Sequence, residues 1–146
     1  MKVQRDIQIG AQPEKVWPLL VQPENVLKWC ITFMKFQYTG ERRGLGATVY
    51  VEEKIPGRLM KLNFTITEWV ENRKITIRMT SGEFVKAYEQ KWVIEPTPTG
   101  SRFTFMENIE FPYGILGKIL GLFARSGSEA TVKKMLVKLK SLAESQ

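Results

Sequence analysis

The chain of 146 residues contains no histidine and a single cysteine, Cys30. Without histidine, Ser-His-Asp and Cys-His nucleophilic machinery is excluded. So are His-ligated metal sites and zinc chelation by Cys and His together, and the commonest general base near neutral pH is missing. No metal and no cofactor is expected from this inventory. One cysteine cannot form an internal disulfide, and a reducing cytoplasm is the compartment that fits. Long hydrophobic runs are also missing. No segment reaches the roughly 18 apolar residues of a membrane span, and the opening MKVQRDIQIG has no apolar run of the signal-peptide kind. Acidic residues are in the minority: 15 Asp and Glu stand against 22 Lys and Arg, for a net charge of +7.

What is present suits one globular domain spanning residues 1–146. Hydrophobic residues make up 43% and aromatics 11% of the chain, enough to fill or line a wide interior. Residues 3–9 alternate as a strand, with Val3, Arg5, Ile7 and Ile9 on one face. AQPEKVWPLLVQPENVLKW then reads as two short helices in a V, each opened by a proline at its first turn. Trp17 and Trp29 are their anchors.

Strands dominate from residue 33 onward. Leu62, Phe64 and Ile66 share a face, as do Ile75, Ile77 and Met79 on the next strand. Phe84, Lys86, Tyr88, Gln90, Trp92 and Ile94 share the following one, and Phe103, Phe105, Glu107, Ile109 and Phe111 the last. The links between these strands are short and rich in turn residues, so neighbours in sequence pair antiparallel. In the C-terminal segment Val132, Met135, Leu136, Leu139 and Leu142 recur at helical spacing. The order is strand, two short helices, six strands, one long helix. Such a sheet buries its inner face by curling around the long helix.

Several local sequences carry a resemblance: AQPEKVWPLL (11–20), QPENVLKW (22–29), GERRGLGATVYV (40–51), ITEWVENRKITIRM (66–79) and MLVKLKSLAE (135–144). Together they resemble the START-like superfamily, also called Bet v 1-like or SRPBCC, and within it the polyketide cyclase/dehydrase and lipid-transport group. The resemblance implies an α+β helix-grip fold: a curved seven-stranded antiparallel sheet around a long C-terminal helix, with two short helices after the first strand. It also implies an apolar cavity between sheet and helix that takes lipids, polyketides or quinones. The stretch FPYGILGKILGLF, with its three glycines, then becomes the start of the gripping helix. Ile115, Leu116, Ile119, Leu120 and Phe123 would face the sheet or the entrance. The glycines would allow close backbone approach or flexing of the helix end.

On this reading the ligand-facing set is Leu62, Phe64 and Ile66; Ile75, Ile77 and Met79; Tyr88, Gln90 and Trp92; Phe103, Phe105, Glu107 and Ile109; and Leu116, Leu120 and Phe123. Glu107 is the most informative of them. It falls in an apolar inward register, where a carboxylate is costly unless partnered and is often functional. It could hold a ligand hydroxyl or act as a general acid or base, with Tyr88 as the second catalytic candidate. The structural alternatives are an ion pair, with Arg5 as partner, and a bulge that turns Glu107 outward. Tyr88 and Gln90 offer polar tips to orient a ligand. Glu52 and Glu53 are sequence neighbours on opposite faces and make a poor dyad.

Lys61, Lys74, Arg78, Lys91 and Arg102 alternate outward and would form a basic convex face. Nucleic-acid binding wants aromatics interleaved there. The aromatics take the other face, so no nucleic acid is expected. Solvation is the default for that face, and weak docking to anionic membranes the sharper reading. Three functions follow in order: binding of a small hydrophobic molecule; a cyclase or dehydratase working by acid/base catalysis; and an interaction module acting through the basic face. The sequence sets no oligomeric state.

Overall fold

A computed structural model describes residues 1–55 and 58–146; for Leu120, Leu122 and Phe123 it describes the backbone only. The turn read at IPG therefore falls, for Pro56 and Gly57, outside the described residues. In chain order the elements are β1 (Lys2–Ile9), α1 (Pro13–Val21), α2 (Pro23–Trp29), β2 (Phe33–Tyr38), β3 (Thr48–Ile55), β4 (Arg58–Val70), β5 (Lys74–Gly82), β6 (Ala87–Thr97), β7 (Gly100–Glu110) and α3 (Ile115–Glu144). The strands form one antiparallel sheet in the order β1-β7-β6-β5-β4-β3-β2, curled around the helices as a half-barrel. This is the helix-grip arrangement.

Period-2 alternation decides which side of each strand is buried. Ile75 and Ile77 on β5, Tyr88, Gln90, Trp92 and Ile94 on β6, and Phe103, Phe105, Glu107 and Ile109 on β7 all lie inside. A proline opens α1 and another opens α2, where the missing N–H costs no helical hydrogen bond. The V between them is pinned by Trp29, fully buried, whose indole N–H donates to the Leu19 carbonyl at 2.7 Å. Trp29 also meets Trp92 edge-on, with ring centroids 5.1 Å apart, and Phe103 at 5.8 Å.

The helix α3 runs unbroken through RSGSE for 30 residues. Its second half buries Val132, Met135, Leu136, Leu139 and Ala143. Its first half turns glycine toward the body. A Cβ on Gly117 would stand 2.2 Å from the Pro112 carbonyl oxygen, and one on Gly121 would lie 3.5 Å from Met1 and Phe111. Close approach to the incoming chain is what Gly117 serves, whereas a Cβ at Gly121 would make only ordinary contact. Because Gly117 and Gly121 take the inner face, Ile115, Leu116 and Ile119 fall on the outer flank and are exposed, Leu116 by 58%.

Candidate functional site

Two strands that are distant in the sheet deliver one carboxylate each to the interior. On β3 the inward series Val49, Val51 ends in Glu53, 4% exposed; on β7 the inward series Phe103, Phe105 reaches Glu107, 8% exposed. Between them stands the buried hydroxyl of Tyr88 on β6. Its oxygen lies 2.9 and 3.1 Å from the two carboxyl oxygens of Glu53 and 2.7 Å from Oε1 of Glu107. Gln90, the register partner of Glu107, donates from Nε2 to the same hydroxyl at 2.7 Å. The orientation of that amide is fixed by Trp92, a donor-only group, whose indole N–H gives to Gln90 Oε1 at 3.0 Å.

The proton count follows from this geometry. A phenol carries one hydrogen, so it can donate to one carboxylate and not to both. The other carboxyl must itself be protonated to make a hydrogen bond with the same oxygen. Burial is the main force raising the pKa of both acids. Glu53 is pushed up to about 8, by burial first and then by the charge of Glu107. Glu107 is also raised by burial, but the hydrogen bonds from Tyr88 and Gln90 and the nearby Met1 amino group work against the shift. Those hydrogen bonds and that amino group favour the charged form of Glu107, where Glu53 has only Tyr88 to offset its burial. The distances agree, since the shorter contact is the one expected for a phenol donating to a carboxylate. The resulting chain is Glu53 carboxyl to Tyr88 hydroxyl to Glu107 carboxylate. Burial and the two nearby carboxyls hold the Tyr88 phenol protonated, and the same causes keep the buried Cys30 a neutral thiol.

This polar group forms the floor of a cavity of about 470 Å³ between sheet and helix. Glu53, Met60, Gln90, Phe105, Glu107 and Ile109 line the sheet side. Ala124, Gly127, Ser128, Thr131, Val132 and Met135 line the α3 side, and Met1, Thr32, Lys54, Ile55, Phe84, Val85 and Phe111 complete the lining. A larger groove of about 800 Å³ lies at the far end of β6 and β7. Its lining is far more polar and holds charges that pair with one another, Arg78 with Glu89 and Lys86 with Glu110. The mostly apolar cavity beside the polar chain is the better candidate for chemistry.

The sequence expectations distribute unevenly over this geometry. Gln90, Phe105, Glu107 and Ile109 stand on the cavity wall. Tyr88 is buried within the polar chain behind it. Leu62, Phe64, Ile66, Ile75, Ile77, Trp92 and Phe103 are packed in the core and do not reach the wall. Met79 is half-buried and borders the larger groove, and Leu116 faces away from the cavity. The side chains of Leu120 and Phe123 lie outside the described residues.

Arg5 is not the partner of Glu107. It sits across from Phe105, is half exposed, and reaches Glu129 of α3 at 3.7 Å, because an edge-strand residue can swing its long side chain past the sheet rim. Nor does a bulge turn Glu107 outward, since β7 keeps continuous register with both β1 and β6. Lys86 and Phe84 precede β6 and are exposed, because the regular strand begins only at Ala87. Of the five outward cations, Lys74, Arg78 and Arg102 are paired with Glu68, Glu89 and Asp6.

The residue that sequence reasoning passed over is Glu53. Its signal was the same as that of Glu107, an acid closing an inward series of valines, but its neighbour Glu52 drew attention to the wrong pair. The two glutamates that meet are 53 and 107, not 52 and 53.

Among curated proteins none matches the sequence closely. Solved structures do match in fold. A START superfamily protein from Mycobacterium smegmatis superposes with a TM-score of 0.77 at 14% identity, over 97% of this chain and 98% of that one. The Zhui aromatase/cyclase from a Streptomyces species gives 0.77 at 14% identity, over 99% and 93%. A protein from Thermus thermophilus gives 0.78 at 18% identity, over 98% and 97%. At such identities these likenesses speak for the fold alone. Among the described residues no helix is long and apolar enough to cross a membrane. A family model described as polyketide cyclase / dehydrase and lipid transport matches residues 1–144, and with the sheet, the gripping helix and the hollow between them in place, the chain belongs to that family.

Proposed function

We propose that this protein binds, and in doing so can carry, a small hydrophobic molecule in the cavity between the sheet and α3. The observation that carries this reading is a hollow of about 470 Å³ that is apolar on its walls and polar at one place on its floor. Apolar burial would supply affinity at about 25 cal/mol per Å². The Glu53–Tyr88–Glu107 chain would fix which end of the ligand points inward. Native mass spectrometry of the freshly purified protein, followed by organic extraction, tests it. A discrete apolar species at near-stoichiometric occupancy is expected. A protein that stays empty after exposure to mixed lipids, quinones and polyketides would count against the reading.

A second reading is an enzyme of the cyclase or dehydratase type. It is favoured by one specific feature: two carboxyls of unequal acidity joined through a phenol, which is an acid and a base held side by side. Glu107 would accept a proton from the substrate and Glu53 would return one through Tyr88. Turnover of a polyketide-like substrate that is lost in Glu107→Gln, with binding kept, would establish it. Full turnover in that variant would end it.

A further inference from the structure

The antiparallel order of the sheet brings three connections to one end of the molecule: the turn from β3 to β4, residues 83–86 between β5 and β6, and residues 111–114 leading into α3. This end carries the mouth of the cavity. Phe84 lines the hollow and yet is 48% exposed, so it stands at the opening, and Ile55 and Phe111 join it on the lining. The surface here is apolar. Leu59, Phe84, Tyr113, Ile115, Leu116 and Ile119 are all exposed, Tyr113 and Ile115 by 78% each. The last three form one stripe on the first turns of α3. Folding gains nothing from holding such groups together in water, and a patch of this kind marks an interaction site. Two of them are held there at a backbone cost. Phe84 and Tyr113 have φ of 66° and 74°, in the left-handed region that bulky residues rarely enter.

The charges among these tips are mostly positive. Lys54, Arg58, Lys86 and Lys118 are exposed here against Glu83 and Glu110. Lys86 pairs with Glu110, whereas Lys54, Arg58 and Lys118 make no salt bridge among the described residues. The Arg58 guanidinium lies over the Phe84 ring, 3.5 Å from its centroid, so a cation and an apolar tip share one spot. On the convex face, by contrast, Lys74, Arg78 and Arg102 are spent on acids. We propose that this end of the molecule docks on an anionic phospholipid bilayer. Phe84, Tyr113, Ile115 and Leu116 enter the headgroup region, and Lys54, Arg58 and Lys118 meet the phosphates. Aromatic and aliphatic tips ringed by long cationic side chains match the layered chemistry of that boundary, apolar below and anionic above. The tips come from separate connections, so they offer points to a fluid surface and not one groove to a rigid partner. The proposal goes beyond the cavity-binding reading and stands on the surface alone. Because the mouth lies inside the patch, docking turns the opening of the cavity toward the lipid.

The test is flotation of the full-length protein with two kinds of vesicle, phosphatidylcholine alone and phosphatidylcholine with phosphatidylglycerol as about a third of the lipid. Binding to the anionic vesicles is expected to be at least about tenfold tighter, and to weaken severalfold between about 0.1 and 0.5 M salt. Leu116→Glu, at an exposed position that lines neither hollow, should weaken it at least about tenfold. The pair Arg58→Gln and Lys118→Gln should do the same. The convex-face pair Lys61→Gln and Lys91→Gln should change it less than about threefold. Each variant is checked for its fold by circular dichroism. Uptake of the neutral fluorophore N-phenyl-1-naphthylamine, measured without vesicles, reads the cavity separately and should be unchanged in Leu116→Glu.

No flotation, or equal flotation with the two kinds of vesicle, would overturn the inference, and fluorophore uptake kept alongside would leave the cavity reading standing. Anionic binding that survives Leu116→Glu, or that is lost in the Lys61 and Lys91 pair, would also overturn it and put the contact on the convex face. Self-association that Leu116→Glu abolishes, seen by analytical ultracentrifugation with no vesicle binding, would assign the patch to a second copy of the chain and overturn it too. Flotation as expected with no fluorophore uptake would uphold docking and count against the cavity reading. The comparison of the two vesicles with the unaltered protein decides the matter even if a variant fails to fold.

Discussion

The concave face of the sheet is built two ways along its length. Toward the β6–β7 turn it is filled: Trp29 wedges against Trp92 and Phe103, and Leu136 and Leu139 are buried on α3. Toward the other end of β7 the same alternation presents Phe105, Glu107 and Ile109, and the space beyond them is hollow. The strands do not make the difference, since their inward residues are large at both ends. The helix makes it. Where α3 faces the hollow it carries Ala124, Gly127, Ser128 and Thr131, and a Cβ added at Gly127 would meet nothing within 4 Å. A run of small residues on one face of one helix leaves room that leucines fill elsewhere. A close-packed interior tolerates few voids, so a void of this size beside buried acids is a built feature.

Mutations at the two ends should therefore behave differently, and the filled end should respond most. Trp29→Ala removes a fully buried indole, its hydrogen bond to Leu19 and two edge-on aromatic contacts. It is expected to cost about 3–5 kcal/mol in urea unfolding. A loss below about 1 kcal/mol would mean that this end is not the packed one.

The hollow end should show itself next, through pH. Glu53 keeps its proton in the native state up to about pH 8, whereas in the unfolded chain it loses it near the usual carboxylate value of 4.5. Between these values the native state holds more protons than the unfolded state. The contribution is complete below pH 4.5 and is lost as pH rises through about 8. Stability should fall across that window by on the order of a few kcal/mol, and Glu53→Gln should remove most of the slope. A profile that rises from pH 5 to 8, or an unchanged slope in the variant, would place the proton elsewhere.

The smallest effect on stability is expected from filling the hollow. Thr131→Leu puts a larger apolar side chain on the cavity wall. Its unfolding free energy should stay within about 1 kcal/mol of the unaltered protein. Uptake of N-phenyl-1-naphthylamine should nevertheless drop at least about tenfold, since a filled site has no room for the probe. Undiminished uptake would mean that the fluorophore binds outside this cavity.

Much of this was legible in the residues. Alternation assigned faces to Ile75 and Ile77, to Tyr88, Gln90 and Trp92, and to Phe103, Phe105 and Glu107, because a strand's side chains can only point to one side or the other. Helical spacing found the buried stripe from Val132 to Leu139. The same rules failed where an element ended or met an edge. Arg5 has the parity of an inward residue but lies on an edge strand and leaves for Glu129. Leu116 looked like a cavity residue until Gly117 and Gly121 claimed the inner face of the helix. Leu62 and Phe64 were rightly read as inward, yet at their level of β4 inward means core, while Met60 nearer the start of the strand reaches the wall.

The sequence by itself determined the strands, their buried faces, the gripping helix and the inward direction of Glu107. Each is a local property, set by period and by neighbours a few residues away. Only the tertiary structure decided that Glu107 meets Tyr88 and Glu53. Three strands separate β3 from β7 in the sheet, and no spacing rule links residue 53 to residue 107. They share one phenol because the sheet curls. Curvature is summed over every strand at once, so the proton they hold between them belongs to the fold and to no single stretch of chain.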